Sequence, residues 1–269
     1  MSKKRRSNRG RVRVSKSFYK FLTFGVVMYI VFLFATLPAN TVYAFFIKSS
    51  PQLRNVKLTG LSGTIWSGLA ADANINNIEL GKLEWDMHVI PLLIGRVSFD
   101  MKFKSLTSQG HGAVAASLGG KIFAENLELR APMSILTPFM YGYPISLDGQ
   151  LAAHIKELEI EPGSRLNISG RVVAMNAASL SPQRIEFGDH VVKLSPNDMG
   201  SKINIVDQGG ALLLQGNVNV QGSGKYNVNL TMAPREDAAP ALVQSMKFLG
   251  RADAAGKYYF RKQGKLRGW

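Results

Sequence analysis

A mainly β exported domain carried on a single N-terminal transmembrane helix is the architecture this sequence predicts, and three observations predict it. Residues 21–47 contain no charged side chain, and within them "FLTFGVVMYIVFLFATL" (21–37) is dense in Phe, Val, Leu, Ile and Met. Beyond about residue 50 the apolar residues alternate with polar ones, the period of a half-buried strand. Turn signals then recur at short intervals, "EPGS" (161–164), "SPND" (195–198), "DQGG" (207–210) and "QGSG" (221–224). That spacing suits antiparallel meanders rather than strand-helix-strand units, so the expected domain is an antiparallel, curved β-sheet with one or two short helices.

The N-terminal tail comes first in order. Lys and Arg number 33 against 18 Asp and Glu, a net charge of +15 over 269 residues. Eight of the bases, Lys3, Lys4, Arg5, Arg6, Arg9, Arg11, Arg13 and Lys16, stand in the first sixteen positions without an acid, which leaves +7 for the remainder. Such a tail can be a nucleic-acid arm, a lipid-surface patch or a topological anchor. The apolar run behind it selects the anchor, and no nucleic-acid-reading module follows. With Phe18, Tyr19 and Lys20 in front, the run meets the roughly 20 residues that a hydrocarbon core requires, and Pro38 marks its end. The positive-inside rule keeps the tail cytoplasmic and carries the rest across. The expected divisions are a basic tail over 1–17, a transmembrane helix over 18–38, a linker over 39–53 and a β-rich domain over 54–269.

A cleavable signal peptide is the rival reading, because "VYA" (42–44) offers small residues for cleavage near Ala44. The length of the apolar run and its heavy basic leader favour the uncleaved anchor. The same tail can hold anionic lipid headgroups at about 1 kcal/mol per basic residue. The chain has no cysteine, which excludes disulfides and thiolate metal sites and is compatible with a bacterial periplasm.

The strands follow. In "VSFDMKFKSL" (97–106), Val97, Phe99, Met101 and Phe103 point one way and Ser98, Asp100, Lys102 and Lys104 the other. The same alternation runs through "IELGKLEW" (78–85), "RLNISGRV" (165–172), "KINIV" (202–206), "NVNV" (217–220) and "YNVNLTM" (226–232). "PMSILTPFM" (132–140) is a turn or two of helix broken by Pro138. A second helix is expected near 238–249, capped by Asp237, with Pro240 in its first turn, Leu242, Val243, Met246 and Leu249 on one face and Gly250 closing it. A final strand follows at "KYYFRKQGKL" (257–266). An apolar-x-apolar-x-Gly pattern recurs at Gly60, Gly149, Gly170 and Gly216, which suits bulges or bends where a long sheet curves.

"LSGTIWSG" (61–68) is the least ordinary stretch. Gly63 and Gly68 flank a β-prone tetrapeptide, so the segment reads as a short strand between two permissive bends. Trp66 is expected to cover a neighbouring glycine or stack on the next strand, with its N–H seeking one acceptor. A phosphate loop is excluded, because the Lys-Ser/Thr ending and following helix are missing.

At these residues the sequence resembles protein N of the bacterial type II secretion system, the general secretory pathway. "VKLTGLSGTIWSGLA" (56–70) is similar to that family's G-x-x-G-T-x-W-S-G segment, carried here by Gly60, Gly63, Thr64, Trp66, Ser67 and Gly68. "LEWDMHVIPLLIGRVSFDM" (83–101) and the closing 233–266 resemble two further blocks of the family in the same order. The resemblance implies an inner-membrane protein with a short cytoplasmic tail and a periplasmic β domain, part of a machine that exports folded proteins. It also implies other inner-membrane secretion subunits as partners, no cofactor and no chemistry of its own.

The residues offer little chemistry beside it. His88, His111, His154 and His190 lack metal-pair spacing. Glu157, Glu159 and Glu161 share one strand face beside Lys156, a pattern that reads as solvation rather than as paired acid and base. Ser67 and Ser181 sit in no nucleophile elbow. Binding is therefore the expected activity, through an unpaired sheet edge or the basic tail. The alternative is an anchored lipid-binding or lipid-transfer protein whose apolar β face holds acyl chains.

Overall fold

The computed structural model describes residues 16–49, 55–139, 146–161, 163–181, 184–247 and 250–266. The basic residues Lys3 to Arg13 lie outside the described residues, and so does the end of the second expected helix at Leu249. Lys16 opens helix α1 (Lys16–Ala35), whose 18-residue window Phe18–Ala35 has mean hydropathy 1.9 and is wholly unburied. Thr36 closes it by donating its hydroxyl to the Phe32 carbonyl (2.9 Å). After Pro38 the stretch expected as a linker is helical, α2 (Ala39–Ser49), and the candidate cleavage point Ala44 lies inside that helix.

Everything that follows is one antiparallel meander. The strands are β1 (Val56–Thr59), β2 (Ser62–Gly63), β3 (Ser67–Ile75), β4 (Ile78–His88), β5 (Arg96–Lys104), β6 (Gln109–Ser117) and β7 (Ile122–Pro132). They continue as β8 (Leu147–Glu161), β9 (Arg165–Ser179), β10 (Ile185–Asn197), β11 (Gly200–Asp207), β12 (Leu212–Gln221), β13 (Lys225–Pro234) and β14 (Tyr258–Lys265). From β3 onward each pairs with its sequence neighbour, while β1 and β2 share the outer side of β3. Such local pairing follows from short turns. Asn76 and Asn77, both at positive φ, make the two-residue β3–β4 turn whose twist matches the strands it joins. At "SPND" the strand runs further than expected: Ser195 to Asn197 still pair with β11, and the reversal falls at Asp198 and Met199, where the Asn197 side chain accepts the Met199 N–H (2.9 Å).

The period-2 alternation becomes two faces. One cross-strand row reads Leu83, Phe103, Gly110, Leu129, Ala153, Val172, Val192, Ile205, Gly216, Leu230 and Phe260. The neighbouring row, on the other face, reads Glu84, Lys102, His111, Glu128, His154, Arg171, Lys193, Asn204, Asn217, Asn229 and Arg261. A sheet with one apolar and one solvated face is the usual antiparallel solution. The apolar face is sealed in three places. Leu83, Ala70 and Ala73 pack under Trp85 and Phe103 near the first strands. The 3-10 turns Met133–Phe139 cover Leu151 and Ala174. Helix α3 (Pro240–Met246) covers Ile185, Leu212 and Tyr258 through Leu242 and Met246.

Two expectations change in detail. Asp237 does not cap α3: Ala239 holds the N-cap position in extended conformation, the geometry required before Pro240, so the helix starts at the proline. Of the recurring glycines, Gly149 and Gly170 lie at register shifts of the β8–β9 pair, whereas Gly216 pairs in regular register with both neighbours. Further shifts flank Gly188 in the β9–β10 pair, which lets fifteen-residue strands coil.

Candidate functional site at the helix–sheet junction

The glycine-tryptophan segment folds as a clasp on the end of α1. Thr64 N–H donates to the Ser67 carbonyl (2.9 Å), and the Thr64 hydroxyl accepts the N–H groups of Trp66 and Ser67 (both 3.2 Å). The hydroxyl thus organises a tight turn between β2 and β3. Gly63, at φ +86, has the Ser67 carbonyl 2.6 Å from where a Cβ would stand, so no side chain fits there. The turn aims Trp66 away from the sheet and onto the helix. Its indole N–H donates to the Phe34 carbonyl (2.9 Å), and its ring meets the Phe34 ring edge to face at 4.7 Å.

The physical reason lies in the helix. The last carbonyls of an α-helix have no partner within it, and Phe34 supplies one of them. The backbone completes the clasp: Ile65 N–H donates to the Leu37 carbonyl (3.1 Å), and Pro38 bridges Thr64 as a single β-bridge. The expectation that Trp66 would cover a glycine or stack on the next strand is therefore corrected. Trp85 does that work, with its ring against Gly68, while Trp66 reaches 32 residues back to α1. Phe34, Leu37 and Pro38 were absent from the sequence reading of this site because nothing in their own neighbourhood names a partner so far along the chain.

Helix α2 closes the outer edge beside the clasp. The Tyr43 hydroxyl donates to the Val56 carbonyl and accepts the Leu58 N–H, both at 2.9 Å. Asn55 turns its carbonyl toward the β3 side, to Asn76, so the alternating backbone leaves Val56 and Leu58 facing outward. One phenol thus blocks an edge that could otherwise pair with another strand. Tyr43→Phe is expected to cost about 1 kcal/mol and to speed exchange of the Leu58 amide, read by hydrogen exchange.

The ionisable residues pair at the surface, apart from His190 and Asp207. Ser67 Oγ donates to Asp86 (2.5 Å), whereas His88 lies against Asp100 (3.0 Å), so serine and histidine have different partners. Glu161 pairs with Lys121 (3.0 Å) and Glu159 with Arg165 (3.5 Å), in keeping with solvation of that strand face. His111 and His154 flank Glu128 at 3.9 and 3.5 Å, and among the described residues no three His, Asp or Glu side chains converge to hold a metal. Lys82, bonded to Glu84, holds that carboxyl below its usual range. His190 is buried 3.7 Å from Asp207, which also pairs with Arg235. A cavity of about 810 Å³ is lined by ionisable residues, Lys82, Glu84, Lys102, His111, Glu128 and Arg130, together with Phe103 and Leu129.

Comparison with known proteins decides the family. The family described as "Type II secretion system (T2SS), protein N" matches residues 54–261, from just before β1 into β14. The chain belongs to the protein N family of type II secretion systems. It is 25% identical to the type II secretion system protein N of Vibrio cholerae over 80% of this chain and 87% of that protein. It is 25% identical to that of Aeromonas hydrophila over 90% and 96%, and 26% identical to that of Klebsiella pneumoniae over 91% and 96%. No solved structure matches the chain. Within the protein N family match lie the whole clasp, Gly60 to Gly68, and the Tyr43-blocked strand β1, whereas α1 and α2 precede it.

Proposed function

We propose that the chain is a non-enzymatic inner-membrane component of a type II secretion system, crossing the membrane once with its N-terminus cytoplasmic and its sheet in the periplasm. It supports export of folded proteins by holding other inner-membrane subunits of the machine. The family match over 54–261, directly behind a span-length apolar helix, carries this reading. The clasp at Trp66 gives the anchor a structural consequence: the sheet is tied to the end of the span by three backbone or indole contacts. The basic tail, on the cytoplasmic side, adds attraction to anionic lipid.

The contact surface is the far edge of the sheet. Leu266 N–H donates to the Gly224 carbonyl, so the even-numbered residues of β14 face β13. Tyr259, Arg261, Gln263 and Lys265 consequently turn their backbone N–H and C=O groups outward, where no described strand meets them. An open edge recruits a partner strand with little demand on sequence, and Arg261, Lys262 and Lys265 favour an acidic one over a second copy of β14. Asp253 holds the turn that leads into this strand, accepting the N–H groups of Lys257 and Ala255 and the Tyr259 hydroxyl. These bonds, that from Lys257 first, depress the Asp253 carboxyl below its ordinary 3.8. Its contribution is therefore full above pH 3.8 and is lost as pH falls through the lower folded value. The protection factor of the Lys257 amide, its exchange measured against the intrinsic rate at each pH, is expected to fall over that acidic window and to be flat above it.

Deletion of the chain tests the function. Exoprotein held in the periplasm, with photo-crosslinks from Gln263 to secretion subunits, is the expected result. Undiminished export, or adducts to lipid without protein, would sink it.

A further inference from the structure

The end of the sheet that holds Trp66 carries an apolar surface that the secretion reading does not use. Ser67, opening β3, is level with Asp86 near the close of β4, and Met87 N–H donates to the Trp66 carbonyl (2.5 Å). Strand β4 therefore arrives beside the end of α1, and the connection to β5 projects beyond it. That connection is apolar where a turn is ordinarily polar. Val89, Ile90, Leu93 and Ile94 are 56, 81, 86 and 78% exposed, and Leu118 in the β6–β7 turn of the same end is 89% exposed. Clustered exposed aliphatics of this size mark a binding surface.

The two turns form one preorganised surface. Gly95, at φ +70, donates its N–H to the Leu92 carbonyl (3.0 Å), and Leu118 N–H donates to the Gly95 carbonyl (3.0 Å). Behind them the Arg96 guanidinium lies over the Phe123 ring at 4.1 Å, and Lys121, paired with Glu161, stands one residue before β7. An apolar tip backed by cations fits the boundary between acyl chains and anionic headgroups.

Position argues for a bilayer over other occupants. Neighbouring strands rotate by roughly 20–25°, so turns at this end swing about a right angle away from α1 within four strands. The apolar character has the same limit. The β8–β9 turn carries Gly163 and Ser164, the β10–β11 turn pairs Asp198 with a single exposed apolar residue, Met199, and the β12–β13 turn carries Gly222, Ser223 and Gly224. At the opposite end of β5 and β6, Leu106 stands alone. Among the described residues, the turns nearest the end of α1 are the ones that are apolar as a group.

We propose that residues 89–94 together with Leu118 insert into the leaflet facing the sheet, giving the domain a second membrane contact beside α1. The inference rests on α1 spanning a membrane. With two contacts the sheet stands end-on at the bilayer in one orientation, and the open β14 edge is directed away from α1 by the full width of the meander.

The absence of native cysteine makes the test clean. Full-length Leu93→Cys, Leu118→Cys, Leu106→Cys and Gly25→Cys variants are labelled with an environment-sensitive fluorophore and reconstituted into vesicles of phosphatidylethanolamine and phosphatidylglycerol bearing a nitroxide on the upper acyl chain. Insertion by roughly 5–10 Å should quench the labels at 93 and 118 about threefold more than the label at 106. Quenching at 93 no greater than at 106, with the label at 25 quenched, overturns the proposal alone and assigns the tip to a protein partner. An unquenched label at 25 defeats the spanning helix, and the proposal with it.

Discussion

Gly68→Val is expected to destabilise the sheet by about 3 kcal/mol, because two groups already occupy the space a side chain would need. A Cβ at Gly68 would stand 2.5 Å from Trp85 Cζ2 and 2.7 Å from the Ser62 carbonyl oxygen. The ring can move, at the expense of its packing over Leu83 and Ala70; the carbonyl belongs to β2, which is paired to β3 at this residue, and cannot. Thermal unfolding of the full chain in detergent reads the loss. Combining Gly68→Val with Trp85→Ala separates the two obstacles: strong non-additivity identifies the ring as the main clash, whereas costs additive within about 0.5 kcal/mol place it in the β2 backbone. In either case Ser67 loses its register against Asp86, so the clasp suffers with the sheet.

Trp66→Ala has a different expected signature, since its indole belongs to none of the three buried clusters. The variant removes a hydrogen bond worth about 1 kcal/mol and an aromatic pair worth about 0.5–1.5 kcal/mol beyond its buried area. We expect a loss of about 2 kcal/mol in the docking of α1 onto the sheet, with little change in the melting of the sheet itself. Exchange of the Ile65 amide, which is bonded to Leu37, should then accelerate about thirtyfold at tenfold per 1.4 kcal/mol. Trp66→Phe should recover the ring contact without the N–H and fall between. A large drop in sheet melting, with Ile65 exchange unchanged, would instead make Trp66 part of the core and remove the clasp from the account of function. With the clasp released, export is expected to weaken even though the sheet remains folded.

The polar and apolar rows show how far the sequence reaches. Val97, Phe99, Met101 and Phe103 announce a half-buried strand because successive side chains of any strand point to opposite faces, whatever the partner. The apolar run over 21–37 announces a helix of span length for the same kind of reason, since each residue adds to it locally. Asp237 failed as a cap because the adjoining Pro240 imposed its own start, a contest between two local signals that only the backbone resolved. In "HVIPLLIG" (88–95) the signal was present, apolar residues in a turn, but its meaning depends on which end of the sheet the turn occupies.

The sequence by itself determined the elements: one apolar helix, a long run of alternating strands, and the turns that make them a meander. These depend on residues within a few positions of one another. Only the tertiary structure decided what Trp66 touches, that Tyr43 blocks one sheet edge while β14 leaves the other open, and that the apolar tips stand beside the end of α1. Those features join residues from 13 to 32 positions apart, or compare ends of different strands. Strand register and sheet twist set them, and neither is written in the pattern of any single strand.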